Sequence, residues 1–315
     1  MIGTDVSVAA RLLSEGEVVA IPTETVYGLA ANALNPEAIA KIYSVKNRPT
    51  FNPLILHVKS IDEAKKYVKN FNTTAQCLAE KFWPGPLSIL LQKNNLVPDV
   101  VTAGLPNVVL RVPKNTKSLE LLNALNFPLA APSANISNTV SPTSAQRVEQ
   151  NLGNRIPYIL DGGPAEVGLE STIVSLLNDE VVILREGGIT KEELEEVLGM
   201  TVTYSSSKEI SSPGQLKKHY ATHKPLYIVK DLEKALQDFK NKKVSALLFT
   251  ENDSLDCFNT YQLSRNNNLS EAANNLFEMM NRADEDDSDV ILVEEAKNTG
   301  IGRAINDRLR RASID

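Results

Sequence analysis

Along the first two hundred residues the apolar positions switch repeatedly between the 3.6-residue spacing of half-buried helices and the compact or alternating runs of strands. Helices are predicted over 5–15, 36–46, 61–70, 73–82, 116–125, 142–152 and 191–198. Strands are predicted over 17–22, 54–58, 87–92, 107–112, 128–132, 157–161, 171–177 and 181–185. Such alternation predicts an α/β architecture. Only Asn178-Asp179-Glu180 separates the last two strands, so part of a mixed sheet is expected to be antiparallel. Helix starts carry their own chemistry. Asn35-Pro36 and Ser141-Pro142 read as an N-cap followed by proline at the first helical position, and Ser60 with Glu63 and Thr190 with Glu193 have capping-box spacing.

Residues 205–225, SSSKEISSPGQLKKHYATHKP, lose the apolar period and contain Ser-Pro-Gly, which predicts a linker. A second pattern follows, with strands over 226–229, 244–250 and 289–293 and helices over 231–240, 270–283 and 301–313, the make-up of a βαβ-type unit. The expected organisation is therefore a domain over 1–204, a linker over 205–225 and a smaller α/β domain over 226–315. The acidic run Asp284-Glu285-Asp286-Asp287 is expected to be a solvated loop.

Composition narrows the function classes. A length of 315 residues accommodates two cores at roughly 150 residues per domain. No apolar run approaches the roughly 20 residues needed to cross a bilayer, and the N-terminus lacks the pattern of a targeting segment, so a cytoplasmic address without membrane association is expected. Two cysteines, Cys77 and Cys257, exclude a disulfide framework and a cysteine zinc site. The net charge of −6 argues against a duplex-binding surface, leaving any nucleic-acid role to a local patch.

Polar residues placed directly after apolar strands mark candidate ligand positions, because open α/β sheets bind ligands there. Pro22-Thr23-Glu24-Thr25-Val26-Tyr27-Gly28 follows one strand, where its threonines serve either turn backbone or a ligand. Lys46-Asn47-Arg48-Pro49-Thr50-Phe51-Asn52-Pro53 sets two cations, a hydroxyl and an amide between prolines, a combination suited to phosphate oxygens. Ala130-Ala131-Pro132-Ser133-Ala134-Asn135-Ile136-Ser137 offers small residues that admit a ligand close to the backbone, with Ser141 beyond. Arg111 lies on an otherwise apolar strand and needs a partner, which a substrate carboxylate or a protein carboxylate would each supply. Ser171 and Arg185 add a hydroxyl and a cation near later strands. His57 on its strand is by itself more often a packing residue than a base, and the histidines at 57, 219 and 223 form no metal spacing. There is no phosphate-binding P-loop and no dinucleotide glycine fingerprint after a strand.

Taken jointly, PTETVYGLAANA, KNRPTFNPLILHV, FWPGPLSILL, VVLRVP, LAAPSANISNTVSPTSA and GLESTIVSLLNDEVVILREGGI resemble the YrdC-like family of L-threonylcarbamoyladenylate synthases over residues 5–200. SPGQLKKHYATHKP and GIGRAINDRLRRAS resemble that family's two-domain form, in which a linker leads to a Rossmann-like C-terminal domain. One departure is Thr222, where the family continues His-Tyr-Ala with proline after His219-Tyr220-Ala221.

The resemblance implies a mixed twisted open sheet with helices plus the smaller Rossmann-like domain. It implies synthesis of threonylcarbamoyl-AMP and pyrophosphate from L-threonine, bicarbonate or CO₂, and ATP, for the threonylcarbamoyladenosine modification of tRNA completed by a downstream transferase. By motif position, Lys46, Arg48 and Asn52 hold the triphosphate, and Ser133, Asn135, Ser141 and Arg185 complete the nucleotide site. The length and polarity of the linker, with the aromatic Tyr220 in it, read either as a lid that brings Tyr220 to ATP or as a plain tether. Thr25, His57, Arg111 and Ser171 hold threonine. Mg²⁺ arrives with ATP rather than in a protein cage, no general base is assigned, and no stable RNA binding is expected. The alternatives are a double-stranded RNA-binding module and an ATP-binding regulator without turnover.

Overall fold

A computed structural model of the chain describes residues 1–178, 180–205, 219–252 and 255–314. These fall into two compact units, the first taking 1–137, 142–166 and 170–205, and the second 138–141, 167–169 and 219–314. The mixed α/β class expected from the sequence is the class observed. No described helix is long and apolar enough to cross a membrane.

The first unit is built on an open eleven-stranded mixed sheet. From edge to edge its strands are Ile2–Gly3, Tyr158–Leu160, Val19–Ile21, Gly28–Asn32, Leu129–Ala130, Ile55–His57, Asn107–Arg111, Leu87–Gln92, Thr172–Ser175, Val182–Arg185 and Thr203–Tyr204. Successive side chains of a strand face opposite ways, so one strand feeds two cores. Val19 and Ile21 enter the cluster with Leu13, Leu121 and Leu160, while Ala20 between them enters the larger one with Ile39, Leu56 and Leu110. The strands 172–175 and 182–185 pair antiparallel, as their short connection predicts.

Local signals held where the chain was free to obey them. Helix Pro36–Lys46 starts where expected, the Asn35 side chain accepting the N–H groups of Glu37 and Ala38. Thr190 and Glu193 form a reciprocal capping box. Three expectations are corrected. The helix expected from 142 begins at Ala145 with Ser144 as its cap. Its supposed first turn is diverted, because the carbonyl of Pro142 accepts Tyr27 N–H and that of Thr143 accepts Ala165 N–H. The helix expected to reach 70 ends at Lys65, since Val68 bridges to Lys93 and Lys69 N–H donates to Gln92 O. Ser60 caps that helix, yet the Glu63 carboxylate takes the N–H of Lys59 rather than that of Ser60. Strand Gly28–Asn32 was not anticipated, because GLAAN is too small-featured to show a strand period.

In the second unit the strands Leu226–Val229, Val290–Glu294, Val244–Leu248 and Asn259–Gln262 form a wholly parallel sheet in that order, the last of them unforeseen. The acidic run is not the expected solvated loop. Asp284 accepts the backbone N–H groups of His223 and Lys224. Asp286 accepts from Lys224 Nζ at 2.6 Å, Ser245 Oγ at 2.5 Å, and at 2.8–2.9 Å from Asn259 Nδ2, Tyr261 OH and Ser288 N–H. Of the linker expected over 205–225, residues 206–218, including Lys217 and Lys218, lie outside the described residues.

Candidate functional site

The register of the central strands places polar side chains in one transverse row across an apolar sheet. His57 pairs with Arg111 on the parallel neighbour. One step beyond the Ile89–Leu110 pair sets Ser88 opposite Arg111. Ser88 then pairs with Ile173, and Ile173 with Arg185. Paired residues share a face of a sheet, so His57, Arg111 and Ser88 form one polar line that Arg185 extends beyond Ile173, after a bulge in its strand.

Each member is fixed by hydrogen bonds. Arg111 is 3% exposed; its Nη2 donates to Glu24 Oε1 at 2.7 Å and its Nε to Gly85 O at 3.2 Å. The second carboxylate oxygen of Glu24 accepts Lys114 N–H at 2.9 Å. Of the two partners the sequence left open for Arg111, the protein carboxylate is present. Ser171 Oγ lies 2.8 Å from Ser88 Oγ, and Arg185 donates to both the carbonyl and the hydroxyl of Ser171. Gly187 permits this approach, for a Cβ there would stand 2.2 Å from Glu170 O. His57 Nδ1 is 3.3 Å from Ile55 O, the geometry of a donating Nδ1–H. Burial, and then the Arg111 charge, push its pKa down to about 3, so the ring is neutral at physiological pH and Nε2 is an acceptor. Thr25 is fully buried, and its hydroxyl lies 2.8 Å from that of Thr23, which in turn donates to Val26 O.

The segment after helix 36–46 supplies the cations. Asn47 at the helix C-cap adopts a left-handed conformation at φ 52°, which ends the helix between Lys46 and Arg48. Lys46 is 1% exposed and donates to the carbonyls of Ser133 and Asn135, both at 2.5 Å, and to Asn135 Oδ1 at 3.4 Å. Arg48 is half-buried, its Nε and Nη2 bound to the carbonyls of Asn52 and Pro53. Among the described residues neither cation has a carboxylate partner. Burial and their mutual repulsion lower the pKa of Lys46; burial also takes Arg48 down to about 10, with Arg185 acting in the same direction.

Residues 131–137 are held against this segment. Ala134 N–H donates to Tyr27 O, Ser137 N–H to Lys46 O, and Ser133 bridges to Gly28. Two polar atoms here are buried without a hydrogen-bond partner, Asn52 Oδ1 and Ser137 Oγ. Leaving such groups unmet costs about 1–3 kcal/mol each, which marks a place where a ligand's polar groups would be stabilising.

Of the residues singled out from the sequence, Lys46, Arg48, Asn52, Ser133 and Asn135 gather in one cluster, and His57, Arg111, Ser171 and Arg185 lie along the polar row. Thr25 follows strand Val19–Ile21, beside Glu24. Ser141 and Tyr220 belong to the second unit. There Ser141 is fully buried, and the Tyr220 ring stacks on Phe277 at 5.3 Å with the Arg308 guanidinium 5.6 Å from its centre. Sequence reasoning missed Ser88 and gave no role to Glu24 and Ser137, which lie inside two of the segments it singled out. A serine inside the apolar run LSILL was the one available signal for Ser88. Among the described residues no group of three or more His, Cys, Asp or Glu side chains is arranged for a metal ion.

The Sua5/YciO/YrdC family, described as telomere recombination, matches residues 11–187. The threonylcarbamoyl-AMP synthase C-terminal domain matches residues 189–313. The threonylcarbamoyl-AMP synthase of Pyrococcus abyssi is 38% identical over 323 positions, covering 98% of this chain and 94% of that one. The enzyme of the same description from Bacillus subtilis is 38% identical, covering 97% and 92%. The crystal structure of P. abyssi Sua5 complexed with L-threonine superposes with a TM-score of 0.92 at 38% identity, covering 98% of this chain and 94% of that one.

Proposed function

The chain belongs to the two-domain Sua5/YrdC-like family of threonylcarbamoyl-AMP synthases, and from that premise we propose how its own residues carry the family's reaction. It is an ATP-using enzyme that makes threonylcarbamoyl-AMP. L-Threonine and bicarbonate or CO₂ give N-carboxythreonine, whose carbamate oxygen attacks the α-phosphorus of ATP and expels pyrophosphate. The step asks for positioning and charge neutralisation rather than a covalent nucleophile, because the carbamate must meet its electrophile before it decarboxylates.

The observation that carries the assignment of the nucleotide is the pair Lys46 and Arg48, cations whose described partners are neutral oxygens. A buried cation without a counter-charge is costly, and a triphosphate supplies one. Arg48 and Asn52 meet the phosphates directly. Lys46 ties residues 133–135 to the same place and adds its charge. Ser133, Asn135, Ser141 and Arg185 complete the nucleotide site. On the polar row Arg111 takes the threonine carboxylate, while His57, Thr25 and Ser171 provide hydrogen-bonding groups for the remainder of the amino acid. Tyr220 is assigned to the ATP side by its place in the sequence, where it would keep water from a carbamate and a mixed anhydride; Tyr220→Ala should then raise the fraction of threonylcarbamoyl-AMP lost to hydrolysis.

Glu24, the carboxylate bound to Arg111, is engaged on both oxygens by Arg111 and Lys114 N–H, and among the described residues no group of three or more His, Cys, Asp or Glu is arranged for a metal, so the donor set does not fit a metal held by protein ligands. Mg²⁺ enters on the phosphate oxygens. The product passes to a tRNA threonylcarbamoyl transferase, in the cytoplasm. Pyrophosphate release that requires both threonine and bicarbonate is the test. ATP binding without turnover would instead mark a regulator, and RNA binding without either activity an RNA-binding module.

A further inference from the structure

We propose that Glu24 is the positioning residue of the threonine site, aiming the Arg111 guanidinium so that its remaining Nη1 edge meets the amino acid's carboxylate. The inference rests on the reading of Arg111 given above and extends it to a residue that reading does not use. A guanidinium at the end of a four-torsion side chain points usefully only if it is held on more than one edge. Gly85 O holds Nε and Glu24 Oε1 holds Nη2, while Nη1 donates to no group among the described residues. Glu24 is itself fixed, because Lys114 N–H occupies its other oxygen. Both side chains are almost fully buried, at 4% and 2% exposure. A buried ion pair adds little stability relative to an apolar replacement of similar volume, so this one, between a strand arginine and a loop carboxylate, points to a purpose other than stability.

The two donors meet different oxygens of the Glu24 carboxylate, and a glutamine replaces one of those oxygens by an NH2 group that is itself a donor. Glu24→Gln therefore cannot keep both contacts, and the guanidinium loses its aim. The experiment compares binding of L-threonine with that of L-threoninamide, which lacks the carboxylate, in wild type and in Glu24→Gln. Wild type is expected to prefer threonine. The variant is expected to bind threonine about tenfold more weakly, the size of one charge-assisted hydrogen bond, with threoninamide and ATP affinities close to wild type. A merely structural role would weaken both amino-acid ligands alike. An unchanged or increased preference for threonine in the variant, or equal loss of both ligands, overturns the proposal. Equal binding of both ligands by wild type would instead overturn the assignment of Arg111 to the carboxylate, so the two failures are distinguishable. If Glu24→Gln does not fold, Glu24→Asp serves: its shorter arm cannot reach both donors, and a wild-type preference in that variant overturns the proposal equally.

Discussion

In the second unit the Asp286 carboxylate accepts from Lys224, Ser245, Asn259, Tyr261 and the Ser288 N–H. In the first unit Lys46 and Arg48 lean on neutral oxygens, and Asn52 Oδ1 and Ser137 Oγ lean on nothing. Both clusters thus hold charge out of water, but only the one around Asp286 balances it. Burial alone would raise the Asp286 pKa; the bonds from Lys224, Ser245, Ser288 and Asn259 outweigh that and hold it well below the usual carboxylate range. For Lys46 burial and the neighbouring Arg48 act together, and the pKa falls. A saturated charge braces the second unit, tying residues 223–224 to the end of helix Leu269–Glu285. The unsaturated pair is the one proposed above to meet the nucleotide, and the contrast gives that proposal a test.

The contrast can be broken by removing each kind of charge. Asp286→Ala strands Lys224 and is expected to destabilise the second unit by about 3–5 kcal/mol, read as a lowered denaturant midpoint by circular dichroism. Arg48→Ala should do the opposite, lowering ATP- and threonine-dependent pyrophosphate release by about 100-fold while the melting temperature stays within a few degrees. If Arg48→Ala unfolds the protein, the cation is architecture and the distinction fails.

Arg111 lies between these extremes, since it has a carboxylate partner and a spare edge. Arg111→Leu should weaken threonine binding by about 1.5–3 kcal/mol in calorimetric titration and leave ATP affinity nearly intact. It also leaves Glu24 buried without its partner, so stability should fall as well. The double variant Arg111→Leu with Glu24→Leu should regain that stability and none of the binding, which separates the two contributions.

Acid sharpens the comparison. A folded-state pKa near 3 for His57, against an ordinary 6.5, means that the unfolded chain binds more protons between those values. Stability from His57 is complete above about pH 6.5 and declines toward pH 3, by at most about 1.4 kcal/mol per pH unit. Asp286, lowered from 3.8, holds its contribution above that pH and loses it only below. His57→Gln should therefore flatten the melting temperature between pH 6.5 and 4. If the slope in that window survives the substitution, His57 is not its source. The smallest effect is expected of Ser137→Ala. Removing an unmet hydroxyl should leave stability unchanged or raise it by up to about 1 kcal/mol, and weaker ATP binding would show that the hydroxyl meets the nucleotide.

What the sequence by itself determined is local or strongly periodic. Asn35-Pro36 capped its helix and brought Lys46 and Arg48 to its far end, the short 178–180 connection made the antiparallel pair, and the motif set carried the family. Those features depend on neighbours within one turn or one loop, so they are visible along the chain. Only the tertiary structure decided the rest. Glu24 and Arg111 are 87 positions apart, as are Lys46 and Ser133, and Ser88 meets Ser171 across 83. Helix Ala145–Leu152 starts late because Tyr27 and Ala165 claim the backbone that would have begun it, and the acidic run is ordered by Lys224 from another part of the chain. Hydrogen-bonding groups are satisfied by whatever the fold brings near, and a one-dimensional pattern shows which groups need partners without showing which partners arrive.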